Sequence, residues 1–87
     1  MAQARVIILH EVKKAIGSDG WELCFQWVRY VYDDGNLETG YRFIWRRPDG
    51  SLQGARGQAR IPSIDIAQEL IQRAIDEGWG NKIGSSH

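Results

Sequence analysis

The chain contains one cysteine and two histidines, and each shortage excludes a class of chemistry. Cys24 alone cannot close an internal disulfide or build a cysteine-based zinc site. His10 and His87 are too few for a histidine metal centre within one chain. Apolar residues never run far enough to cross a bilayer, and the stretch Arg5-Val6-Ile7-Ile8-Leu9 is too short for a span or a leader. Phosphate-binding loops, dinucleotide fingerprints and serine-nucleophile motifs are missing. Cys24 has no acid or histidine beside it and reads as a small buried hydrophobe. Asp33 and Asp34 are turn formers before they are an acid–base pair. The expectation is a non-enzymatic protein without metal or cofactor, cytoplasmic by default.

What is present describes a small folded domain. Eighty-seven residues, 43% apolar and 25% charged, suit one globular domain over 1–80, with 81–87 reading as a flexible tail. Nine aromatics, four of them Trp, can bury much surface per residue. Net charge is zero, but it is unevenly spread: residues 1–41 carry −2, 42–60 carry +4 and 61–87 carry −2. Such polarity steers partners through the local field.

The pattern predicts an α+β fold of order ββββα: a four-stranded antiparallel meander, then one amphipathic helix on one sheet face. Strands are expected over Arg5–Val12, Trp21–Tyr32, Leu37–Arg47 and Leu52–Ile61. Loop chemistry separates them at Gly17-Ser18-Asp19-Gly20, Asp33-Asp34-Gly35-Asn36 and Pro48-Asp49-Gly50-Ser51. Trp21, Leu23, Phe25 and Trp27 form one apolar row; Tyr41, Phe43 and Trp45 form another, opposite Arg42, Ile44 and Arg46. Pro62 stops the fourth strand and Ser63 caps the helix. Ile64, Ala67, Leu70, Ile71, Ala74 and Ile75 make an apolar stripe, and Gly78 suits the cap, with Trp79 folding back. Burying the four Ile/Leu side chains would contribute about 6–12 kcal/mol before entropy. Since one helix covers one face, Val6, Ile8, Val28, Tyr30 and Ile44 remain on the other, and a homodimer is expected to cover part of them.

Five arginines, Arg42, Arg46, Arg47, Arg56 and Arg60, lie between residues 42 and 60 with one acid, Asp49. Arg42 and Arg46 share one side of the third strand, and Arg56 and Arg60 one side of the fourth. This stretch, Trp45-Arg46-Arg47-Pro48-Asp49-Gly50 with Leu52, Arg56, Ile61 and the closing helix, resembles the positive cofactor four family of single-stranded DNA-binding transcription cofactors. The resemblance covers about the last forty residues. It implies four strands and a helix, dimerisation, a stacking surface at Trp45 and a phosphate contact at Arg56. The chain departs from the family pattern at Ala55-Arg56-Gly57-Gln58, which lacks one basic residue, and in a longer, more acidic first half.

Two functions follow as expectations. One is nucleic-acid binding, preferentially of single strands with low sequence preference: Arg42, Arg46, Arg47, Arg56 and Arg60 contact phosphates while Tyr30 and Trp45 stack on bases. The bland counterpart is a solvated face, or one salt-linked across a dimer to Glu22, Asp33 and Glu38. The aromatic rows are core in the main, Trp45 being the candidate exception beside its turn. The alternative function is a protein-interaction module that uses the same sheet face or an edge.

Overall fold

The structure, a computed structural model, describes residues 4–53 and 60–79. Its elements are β1 (Ala4–Ala15), β2 (Glu22–Tyr32), β3 (Leu37–Arg46) and α1 (Ile64–Asp76). The three strands form an antiparallel sheet in the order β1-β2-β3, so the fold is α+β with a C-terminal helix. β1 runs three residues past its expected end at Val12. Lys13, Lys14 and Ala15 continue the ladder opposite Cys24, Leu23 and Glu22. Both lysines find carboxylates there, Lys13 at Glu22 (3.7 Å) and Lys14 at Glu69 of α1 (3.2 Å). Their long stems cover the strand end while the charges stay near water. The following turn packs closely: Gly20, at φ +93°, would bring an added Cβ within 3.0 Å of Pro48.

A β-bulge divides β1. Ile8 pairs with Val28 and His10 with Trp27, which leaves Leu9 as the extra residue. Side-chain alternation therefore reverses at Leu9. Before the bulge, Val6 and Ile8 point away from the helix and Ile7 points toward its side. After it, His10, Val12 and Lys14 lie on the helix side, and Glu11 and Lys13 on the other. The bulge is what places Val12 under the helix and Glu11 on the open face.

The core lies between α1 and the aromatic rows. Val12, Leu23, Phe25, Leu70, Ala74 and Trp79 are buried together, with Ile16, Trp27, Phe43, Trp45 and Ile66 packed around them. Ser63 caps the helix, its Oγ accepting from Ile66 N at 3.2 Å. Asp65 in the first turn and Arg73 in the last suit the helix dipole. At the far end Gly78, at φ +80°, lets its N–H bond Ile75 O while Trp79 N–H bonds Ala74 O. That closure sends Trp79 back onto the sheet. Its ring centroid lies 5.7, 6.4 and 6.4 Å from those of Phe25, Trp27 and Tyr41, and 5.8 Å from His10.

The helix buries less of its apolar stripe than expected. Leu70 and Ala74 are buried, but Ile71 and Ile75 are exposed and Ile64 is 80% exposed. The opposite flank is tied to β1, through Arg73 Nη1 to Lys13 O (2.9 Å) and Lys14 to Glu69. Those bonds fix the roll of the helix about Leu70. The helix packs chiefly on β1 and β2, with Phe43 and Trp45 of β3 bordering the core beneath it.

The expected fourth strand, Leu52–Ile61, falls largely outside the described residues. At its start Leu52 forms an isolated antiparallel bridge with Arg46, and Gln53 N–H bonds Trp45 O at 2.9 Å. A ladder continued from there would set Arg60 opposite Glu38. Arg60 O instead accepts from Trp45 Nε1 at 2.9 Å, at the opposite end of β3.

Candidate interaction surfaces of the sheet

The open face collects the even-numbered side chains of β2 and β3. Arg42 and Arg46 lie there as the alternation requires, but both are built into the sheet. Arg46 Nη2 donates to Glu11 Oε2 at 2.7 Å, with side chains only 21 and 19% exposed. Gln26, 0% exposed, joins the two arginines: its Nε2 donates to Glu11 Oε2 (2.6 Å) and its Oε1 accepts from Arg42 Nε (2.8 Å). Burial pushes the Glu11 carboxyl up, yet the bonds from Gln26 and Arg46 outweigh it and hold the group below its ordinary value. The Cys24 thiol, buried beside this network, is pushed up to about 11, chiefly by burial. A thiol so disfavoured as thiolate is a packing residue.

This face is balanced in charge. Among the described residues it carries Glu11, Glu22 and Glu38 against Lys13, Arg42 and Arg46. Arg47 belongs to the turn, its Nη1 donating to Ser51 Oγ (3.2 Å) and Leu52 O (3.0 Å). Arg60 is exposed, and Arg56 lies outside the described residues. Trp45 faces the helix side, half-buried, with its ring edge-on to Trp21 at 6.3 Å. Tyr30 does share the arginine face, but it stands opposite Val6 and Glu38, about 13 Å along the sheet from the Gln26–Arg42 pair. The structure thus brings Arg42 and Arg46 together and separates Trp45 and Tyr30 from them.

The apolar patch expected on this face is smaller than its residue list. Val28 and Ile44 are buried, while Val6 and Ile8 are exposed. More apolar surface lies where the helix ends. Beyond the His10–Trp27–Tyr41 row, the sheet extends past α1, the only helix among the described residues, and its edge residues are exposed while the central Val28 is buried. Val6, Ile7 and Ile8 are exposed in succession, with Leu37 60% exposed and Tyr41 41%. The helix-side face of this projection presents Ile7–Arg29–Thr39 as one cross-strand row and Arg5–Val31–Leu37 as the next.

Arg5 and Arg29 were not among the expected site residues. A signal for Arg29 was present: the odd-numbered apolar row of β2 runs through Trp27 and then meets an arginine, which marks where helix cover stops. A shallow concavity of about 490 Å³ at the hairpin end is lined by Tyr32, Asp34, Asn36, Leu37 and Glu38. Its polar groups bond one another, Tyr32 Oη to Glu38 (2.7 Å) and Asn36 to Asp34 (3.0 Å). No set of three or more His, Cys, Asp or Glu side chains among the described residues converges where it could hold a metal ion. Nor is any helix among them long and apolar enough to cross a membrane.

No family model, curated protein or solved structure matches this chain.

Proposed function

We propose that the protein is a non-enzymatic protein-interaction module that binds through the projecting half of its sheet. One observation carries this reading: Val6, Ile7, Ile8 and Leu37 are exposed together on a sheet segment that no helix among the described residues covers. A bare sheet presenting aliphatic side chains on both faces is unfavourable in water and becomes favourable when a partner covers it. The outer edge of β1 adds backbone groups that a partner strand can extend.

Nucleic-acid binding through Arg42, Arg46, Arg47, Arg56 and Arg60 finds less support. Arg46 is neutralised by Glu11 and Arg47 is folded onto its own turn. The face around Arg42 and Arg46 carries no net charge among the described residues, so few counterions would be released on contact with phosphates.

The test is affinity capture from extracts of the source cells, with wild type and Val6→Lys/Ile8→Lys side by side. The captured protein is then purified and titrated by calorimetry. Direct binding that the double variant weakens at least tenfold supports the module. The same titration with a single-stranded oligonucleotide at low salt serves as the comparison. Tight oligonucleotide binding, lost in Arg42→Ala/Arg60→Ala but kept in Val6→Lys/Ile8→Lys, would overturn it in favour of the arginine surface.

A further inference from the structure

β1 is an edge strand, and its free side is guarded along only half its length. Natural sheets blunt such edges with bulges, lysines and covering elements. Past Leu9, β1 has all three: the bulge itself, Lys13 and Lys14, and α1, whose Arg73 bonds the Lys13 carbonyl. Before Leu9, Arg5 to Ile8 run in regular register against Val31 to Val28, with β2 their only strand neighbour among the described residues. Val6, Ile7 and Ile8 are exposed there in succession. An unguarded edge of this kind is a template for one more strand.

The charge beside that edge selects the strand. On the helix-side face Arg5 stands opposite Val31 and Arg29 opposite Ile7, so the two arginines are diagonal neighbours, roughly 7–8 Å apart. Both are exposed, and neither guanidinium is ion-paired among the described residues. The cross-strand rows Ile7–Arg29–Thr39 and Arg5–Val31–Leu37 contain no acid. Like charges placed as sheet neighbours repel, and carboxylates from a partner turn that cost into attraction. Ile7 and Val31 beside the pair are aliphatic and offer no platform on which bases stack, which favours a peptide over a nucleic acid.

We infer that the partner is an extended peptide in which acidic and aliphatic residues alternate, added as a strand to the edge of β1 before the bulge. The period of 2 along a strand fixes the pattern. Peptide residues opposite Arg5 and Ile7 lie on the helix-side face, and those opposite Val6 and Ile8 on the open face. An acid opposite Arg5 pairs with it directly. One opposite Ile7 lies two strand spacings from Arg29, about 9–10 Å, a gap that an arginine and a glutamate side chain span together. Aliphatic residues opposite Val6 and Ile8 cover those exposed side chains, and main-chain bonds to the free edge hold the strand.

This narrows the proposed module, on whose docking surface it rests, to one class of partner. The experiment is fluorescence anisotropy of the full chain with a labelled alternating Glu-Val peptide and its Lys-Val counterpart. Wild type is expected to bind the Glu-Val peptide at least tenfold more tightly, with affinity falling as salt rises. Arg5→Glu/Arg29→Glu should reverse the preference, and Arg29→Gln, a milder change, should reduce it. N-methylating alternate amides of the Glu-Val peptide should abolish binding in the register whose N–H groups face β1 and preserve it in the other. Near-ultraviolet circular dichroism reports whether each variant is folded. Equal binding of the two peptides, no binding of the Glu-Val peptide, or indifference to the methylated register overturns the proposal. So does a chain that sediments as a dimer and excludes the peptide, or a single-stranded oligonucleotide that binds more tightly than the peptide does. A captured partner that Val6→Lys/Ile8→Lys weakens, with the Glu-Val peptide inert, would sink this inference alone. Failure of Val6→Lys/Ile8→Lys to weaken either ligand would sink the module with it.

Discussion

At the scale of single residues, stability concentrates in two places. Trp79 lies against four rings at the end of the helix and is buried, so Trp79→Ala should cost about 3–5 kcal/mol in denaturant unfolding. The other place is the Glu11–Arg46 pair with Gln26. Arg46→Met leaves a mostly buried carboxylate with one donor fewer and should cost about 1–3 kcal/mol at neutral pH. Glu11 is held below its ordinary pKa in the folded protein. Its stabilisation is therefore present above the unfolded-state value, about 4.3, and is lost as pH falls through the lower folded value. Melting curves below about pH 5 should show wild type losing this increment and Glu11→Gln, which has no carboxylate to protonate, changing less. Arg42 and Arg46 were readable as facing one way. Their partners were not, because Arg46 and Glu11 are 35 residues apart and meet only through the register of three strands.

Among the elements, the local pattern and the tertiary constraint part company in identifiable places. Three strands, their turns, the Ser63 cap and the Gly78–Trp79 closure were legible because each depends on near neighbours in the chain. The bulge was not, since Val6-Ile7-Ile8-Leu9 is apolar throughout and alternation cannot be followed in it. The helix roll was also hidden: the stripe centred between Leu70 and Ile71, and only the bonds of Arg73 and Lys14 to their neighbours selected Leu70. The bulge makes a direct prediction. Deleting Leu9 makes Ile8 and His10 adjacent opposite Val28 and Trp27, a regular ladder that keeps Val12 on the helix side and Glu11 on the open face. The deletion variant and Leu9→Ala should therefore both still unfold cooperatively by circular dichroism, and loss of cooperativity in the deletion variant would contradict this register. The helix is the second case. Leu70→Ala should destabilise by about 2–5 kcal/mol and Ile64→Ala, at an 80% exposed position, by about 0.5 kcal/mol or less in the same assay.

The whole molecule is unevenly covered. α1 shields one half of a three-stranded sheet, and the other half extends beyond it with aliphatic side chains on both faces. Charge follows a different division among the described residues: the open face balances acids against bases, and the exposed Arg5 and Arg29 lie on the helix-side face beyond α1. The sequence did not point to this half of the sheet, since the arginine-rich stretch and the proposed interaction surface sit at different ends of β3. The measurement that tests the central claim most directly is amide chemical-shift mapping on nitrogen-15-labelled protein. The captured partner and a single-stranded oligonucleotide would be added in separate titrations. The partner should perturb residues 5–8, 28–31 and 37–41 and leave 42–47 unmoved, while the oligonucleotide perturbs neither region. Shifts confined to 42–47 and Arg60, induced by the oligonucleotide at stoichiometric ratios, would contradict the account.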